Sequence, residues 1–195
     1  MTLSLNEAKR ILDPILPKLS KSINAAINDY KRNILRLEYS RRTRASIIND
    51  LMWRYAQEAL IDAPGIFWRR KGNSHYLIIE DKFKLKFKML TKNLRSMNIP
   101  TQQALDFVYQ ENGQLDFPDK PAPVTNILAG YKWNDLQTDH DGVYIVCPFG
   151  TQNLWALEIT QEKSKEAEIV PIPTTERKRV AVRKVEEDVK NKESK

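Results

Sequence analysis

Lys82, Lys84, Lys86 and Lys88 alternate with Phe83, Leu85 and Phe87 in a run whose spacing suits the binding of a polyanion. Side chains on a strand point alternately to its two faces, so the lysines share one face and the apolar groups the other. Neighbouring ammonium groups then stand about 6.6 Å apart and repel one another unless an anion, such as a phosphate backbone, lies across them. An edge strand blunted by lysine against aggregation gives the same pattern. On either reading the four lysines are wet, with Phe83, Leu85 and Phe87 buried. Trp68-Arg69-Arg70-Lys71 sets an aromatic beside cations, a mix suited to stacking on bases and pairing with phosphates. A core role for Trp68 is the plainer reading. Arg41, Arg42 and Arg44 offer further contacts to phosphates or acidic side chains.

Other reactive residue types are present without the pattern their chemistry needs. Asp139-His140-Asp141-Gly142, with Asp135 nearby, supplies oxygen and nitrogen donors in one loop. A metal needs three or four of them brought together, and the spacing matches neither a calcium loop nor a zinc motif, so turn formation before a strand explains them. Cys147 lies on the alternating run Val143-Tyr144-Ile145-Val146-Cys147, with neither His75 nor His140 tied to it, and reads as a buried structural thiol. Glu80-Asp81-Lys82 follows an apolar run and is similar to the last part of the PD-(D/E)xK nuclease motif. In that motif two carboxylates hold Mg²⁺ and the lysine assists the attacking water. The chemistry also needs an upstream acid on a neighbouring strand, and the nearest, Asp62, sits before the helix stop Pro64-Gly65. No phosphate-binding loop, dinucleotide fingerprint or nucleophile elbow occurs. The expectation is no catalytic residue, no metal and no cofactor.

The elements that would position these residues change texture along the chain. Residues 1–62 read as a helical region. Ser4-Leu5-Asn6-Glu7 is a capping box, and Pro14 and Pro17 limit the first helix to a short piece. A second helix is expected over about 20–38, with Ile23, Ile27, Tyr30, Ile34 and Leu37 as one buried stripe. Arg41-Arg42-Thr43-Arg44 separates it from a third, striped by Ile48, Leu51, Met52, Tyr55 and Ala59 and stopped at Asp62-Ala63-Pro64-Gly65. Residues 63–160 then follow period 2. Three strands are expected as a meander: Ile66–Lys71, Tyr76–Ile79 and the lysine run, with turns at Gly72-Asn73-Ser74 and Glu80-Asp81. Thr101 caps a helix to about Gln110, closed by Gly113, and Gln114–Pro123 reads as a loop. Val124–Trp133, Gly142–Phe149 and Leu154–Ile159 complete the strands. Residues 161–195 lack aromatics, mix charges densely and read as a flexible tail. The expected fold is α+β, with N-terminal helices packed on an antiparallel β-sheet and one inserted helix, the helices and sheet forming one domain.

The chain has 195 residues, 41% of them apolar, enough for a real core. No apolar run approaches the roughly 18–20 residues that span a bilayer, the start lacks a signal-peptide pattern, and the single cysteine cannot pair within the chain. These point to the cytoplasm. The net charge of +7 conceals an asymmetry. Residues 1–100 carry 20 Lys or Arg against 9 Asp or Glu, and residues 101–160 carry 2 against 8. A basic half beside an acidic segment suggests a polyanion-binding face, a face for an acidic partner, or mutual neutralisation within the fold.

Leu85-Lys86-Phe87-Lys88, Ile99-Pro100-Thr101-Gln102-Gln103-Ala104, Leu128-Ala129-Gly130-Tyr131, Val143-Tyr144-Ile145-Val146-Cys147-Pro148 and Leu154-Trp155-Ala156-Leu157 occur in that order. Over residues 40–160 this resembles a largely uncharacterised family of bacterial and phage proteins. Its members look like companions of helix-turn-helix and zinc-peptidase-like regulators in toxin–antitoxin or defence modules. The resemblance carries no catalytic residue. It implies a non-enzymatic component acting on a protein partner, a cognate toxin or antitoxin, through the basic face. The alternatives are a nucleic-acid-binding regulator and a Mg²⁺-dependent nuclease. Oligomeric state is not legible.

Overall fold

The computed structural model describes residues 2–72, 74–97, 101–110 and 124–159. The expected closure at Gly113, the loop over 114–123 and the tail over 161–195 lie outside these residues. The Ser4 hydroxyl accepts the Glu7 N–H while the Glu7 carboxylate accepts the Ser4 N–H, and α1 runs from Leu5 to Leu12. Helix α2 spans Leu16–Arg32, earlier at both ends than the sequence suggested. Pro17 stands in its first turn, where a missing N–H leaves no bond unmade, so this proline starts a helix rather than ending one. Beyond Arg32 the Asn33 side chain accepts the Leu35 N–H and opens a 3-10 turn over Ile34–Leu37. Ile34 therefore leaves the expected stripe and is 93% exposed, and the side chain of Leu37 lies outside the described set. The arginine run is no separator. Ser40 caps it, and Arg41, Arg42 and Arg44 open α3, Arg41–Leu60.

One sheet follows, in the order β1-β2-β3-β4-β5-β6. The strands are β1 (Ile66–Lys71), β2 (Ser74–Ile79), β3 (Phe83–Leu90), β4 (Thr125–Trp133), β5 (His140–Phe149) and β6 (Gln152–Glu158). The first three form the expected meander, and the last three form a second one. The β3–β4 pair is parallel, unlike the antiparallel sheet expected. A parallel pair cannot be joined by a tight turn, and α4 (Gln102–Val108), capped by Thr101, lies in that connection.

Helices α1–α3 share one core with one face of the sheet. Leu12, Leu19, Ile23, Ile27, Ile48, Met52 and Trp53 meet Leu77, Ile79, Phe83, Leu85, Phe87, Ile127, Ala129, Tyr131, Val143, Ile145, Cys147 and Leu157. The opposite face carries a smaller cluster in which Phe107 of α4 packs with Leu90, Leu128 and Val146. Helix-bearing and wet faces would have suited the sequence pattern. Here both faces are at least partly covered.

Candidate functional site

The lysine run divides against expectation. Phe83, Leu85 and Phe87 are buried as the alternation requires, and Lys82 is exposed. Lys84 is only 8% exposed, and Lys86 and Lys88 are half-buried, so the wet-face expectation fails for these three. The cause is placement. Strand β3 lies in the middle of the sheet, with Ile78 and Asn126 flanking Lys84 in register. The edge-strand reading fails with it, because the edges are β1 and β6. The Lys84 ammonium stands 4.7 Å over the Tyr76 ring and that of Lys86 4.7 Å over Phe107. Each cation thus faces an aromatic quadrupole while its alkyl stem covers apolar surface. Burial lowers the pKa of Lys88.

Alternation also splits the β1 run. Trp68 points to the helices, meets Trp53 edge-to-face at 5.6 Å and packs half-buried against the core. Arg70 shares that side and donates Nε–H to the Gly72 carbonyl at 2.9 Å. Phe67 and Arg69 face the other way, with the Arg69 guanidinium 5.8 Å over the Phe67 ring. Phe67 is 45% exposed and was not singled out from the sequence. Turning Trp68 inward obliges Phe67 to face outward, and that was the signal for it. Lys71 ends β1, and its side chain lies outside the described set.

In the first turn of α3, Arg41 and Arg42 are exposed. They stand at the positive end of the helix dipole, where cations are disfavoured. Arg44 turns instead to the β4–β5 loop, donating Nη1–H to Gln137 Oε1 at 3.3 Å with its guanidinium 5.9 Å from the Trp133 ring centre. Behind it the Trp133 indole N–H approaches the buried Tyr131 hydroxyl without a well-formed hydrogen bond, and burial raises the Tyr131 pKa.

The acidic loop is self-neutralised. Asp135 pairs with Lys92, Asp139 with Lys31 and Asp141 with Lys132. The Lys31 ammonium hydrogen-bonds the Asp139 carboxylate and holds its pKa at about 2. His140 sits between Asp139, 2.9 Å from Nδ1, and Asn24 of α2, 2.8 Å from Nε2. The carboxylates thus face separate lysines, and no group of three or more metal-binding side chains converges among the described residues. Glu80 and Asp81, both at φ +52°, form the β2–β3 turn, closed by the Lys82 N–H on the Ile79 carbonyl. Cys147 is buried, which pushes its thiol up to about 12 and leaves no nucleophilic thiolate at neutral pH.

The structure therefore does not unite the cations that the sequence singled out. Lys84, Lys86 and Lys88 lie against the sheet, Arg69 and Arg70 flank β1 on opposite faces, and Arg41 and Arg42 open α3. Comparison with protein-family models, curated proteins and solved structures gives no match.

Proposed function

We propose that this protein is a non-enzymatic, cytoplasmic binding component of a bacterial toxin–antitoxin or anti-phage module. It engages an acidic protein partner through exposed arginines. One observation carries the reading: Arg41, Arg42, Arg69 and Arg70 are exposed and form no ion pair among the described residues, whereas the lysines beside the acidic loop are paired. Partner carboxylates would supply the missing counter-charge, with electrostatic steering of encounter. No helix among the described residues is long and apolar enough to cross a membrane.

A second reading, a nucleic-acid-binding regulator, is favoured by Phe67 beside Arg69, an exposed ring and cation on which a base could stack. It is weaker because Trp68 packs half-buried against the core, Lys84 is buried and Lys86 and Lys88 are half-buried.

The test is co-expression with the product of the adjacent gene, followed by size-exclusion chromatography at low and high salt. A complex that salt weakens, and that the double variant Arg69→Glu/Arg70→Glu loses while still folded, supports the proposal. The charge reversal belongs on these residues, since Lys84 is interior. A complex indifferent to salt and to the double variant refutes it. Preferential binding of nucleic acid, with a slope of log K on log salt of roughly −0.7 to −0.9 per phosphate, supports the second reading.

A further inference from the structure

Strand β1 is an edge of the described sheet, and one hydrogen bond fixes the direction of its main-chain groups. The Glu80 N–H donates to the Gly65 carbonyl at 2.7 Å, and the register sets Ile66 against Ile79 and Lys71 against Ser74. Antiparallel strands direct alternate residues toward the partner. Gly65, Phe67, Arg69 and Lys71 therefore turn their N–H and C=O groups to β2, while Ile66, Trp68 and Arg70 turn theirs outward. No main-chain partner meets those three on the outer side among the described residues. The side chains beside this edge are Arg69 and Arg70, without an ion pair among the described residues, and the half-exposed Phe67. The other edge, β6, carries no Lys or Arg between Gln152 and Glu158, and the indole of its Trp155 donates to the Leu3 carbonyl.

We infer that β1 accepts an extended acidic segment of the partner protein as an added strand, an inference that rests on the reading under Proposed function. Main-chain bonding to Ile66, Trp68 and Arg70 supplies affinity, and carboxylates opposite Arg69 and Arg70 supply selectivity. A second copy of this chain is a poor occupant, because pairing β1 with β1 gathers Arg69 and Arg70 of both copies along one short seam with no carboxylate on β1 to offset them, and like charges repel. Blocking an edge requires only charge. Phe67, left half-exposed beside Arg69, adds apolar surface that an incoming strand would cover.

The probe is a short acetylated and amidated peptide with two adjacent Glu residues set between Val residues, which puts one carboxylate on each face of an added strand, with a Lys-for-Glu peptide as control. It is titrated into the isotope-labelled full chain. Saturable binding of the acidic peptide alone, with slowed hydrogen exchange at the Ile66, Trp68 and Arg70 amides, is the expected result. Arg70→Ala removes one charge, whereas Arg70→Pro also removes an outward N–H without touching the β1–β2 ladder. The proline variant should therefore bind about three- to tenfold more weakly than the alanine variant, the factor one hydrogen bond carries. Should a thermal melt show that the proline variant unfolds, the amide protection of the wild-type chain decides. Equal binding by the two variants, or protection away from the edge, overturns strand addition. If Arg69→Glu/Arg70→Glu still abolishes binding in that case, the basic-surface reading stands. If that double variant also binds fully, both fail. No binding of the acidic peptide, or tighter binding of a mixed-sequence oligonucleotide at the same residues, overturns the inference.

Discussion

Replacing Phe87 with Ala should be among the most damaging single changes to this fold. Phe87 is 1% exposed and meets Trp53 edge-to-face at 4.9 Å, at the contact between β3 and α3. Trp53 also touches Trp68 and His75, so one ring anchors an aromatic group that joins the helices to the first meander. Deleting a buried phenylalanine costs about 3–5 kcal/mol through lost transfer energy and the cavity left behind. An aromatic pair contributes about 0.5–1.5 kcal/mol of its own, so Phe87→Leu, which keeps most of the volume, should cost about that smaller amount. Domains are stable by only about 5–15 kcal/mol, so the alanine variant forfeits at least about a fifth of the stability and, at the low end of that range, all of it. Urea unfolding followed by circular dichroism and tryptophan fluorescence measures it. With a slope of about 2 kcal/mol per molar, the midpoint should fall by about 2 M. A loss below about 1.5 kcal/mol for Phe87→Ala, or equal losses for Ala and Leu, would refute the packing argument.

Gly130→Ala should destabilise by about 1–3 kcal/mol or more, because a Cβ there would lie 1.8 Å from the Lys88 carbonyl oxygen of β3. A thermal melt within a degree or two of wild type would contradict this. Lys88→Met addresses the lysine whose pKa burial holds below its ordinary value. The unfolded chain then binds that proton more tightly, so its charge penalises folding at neutral pH and the penalty is relieved as pH rises toward the ordinary lysine value. The methionine variant should thus be more stable than wild type at pH 7, with the gap narrowing by pH 10 in urea midpoints. A gap that is constant or widens refutes the assignment.

Local chemistry was legible in the sequence where neighbours decide the outcome. The Ser4–Glu7 box, the Thr101 cap, the turn at Glu80-Asp81 and the burial of Phe83, Leu85 and Phe87 all depend on residues within a few positions. Period 2 says which side chains share a face, not what lies over that face. Lys86 is covered by Phe107, about twenty residues further along, and Lys84 by a neighbour on β2. Pro17 could start or stop a helix, and only packing beyond it chose. The charge asymmetry was visible, but its partial cancellation required the β4–β5 loop to meet Lys31 of α2 and Lys92 beyond β3, while Lys132 pairs with Asp141 across its own hairpin.

The parallel junction of β3 with β4 has a kinetic consequence. Each meander is built from contacts between strands adjacent in sequence, whereas Phe83 must find Thr125 across some forty residues. Closing so long a loop costs entropy before any contact repays it. The two halves therefore make natural cooperative units, with the Lys88–Gly130 contact among the last formed and the first lost. Transient separation there would bare the strand edges of β3 and β4 together, which makes this junction the point at which the chain is most exposed to misassembly during folding.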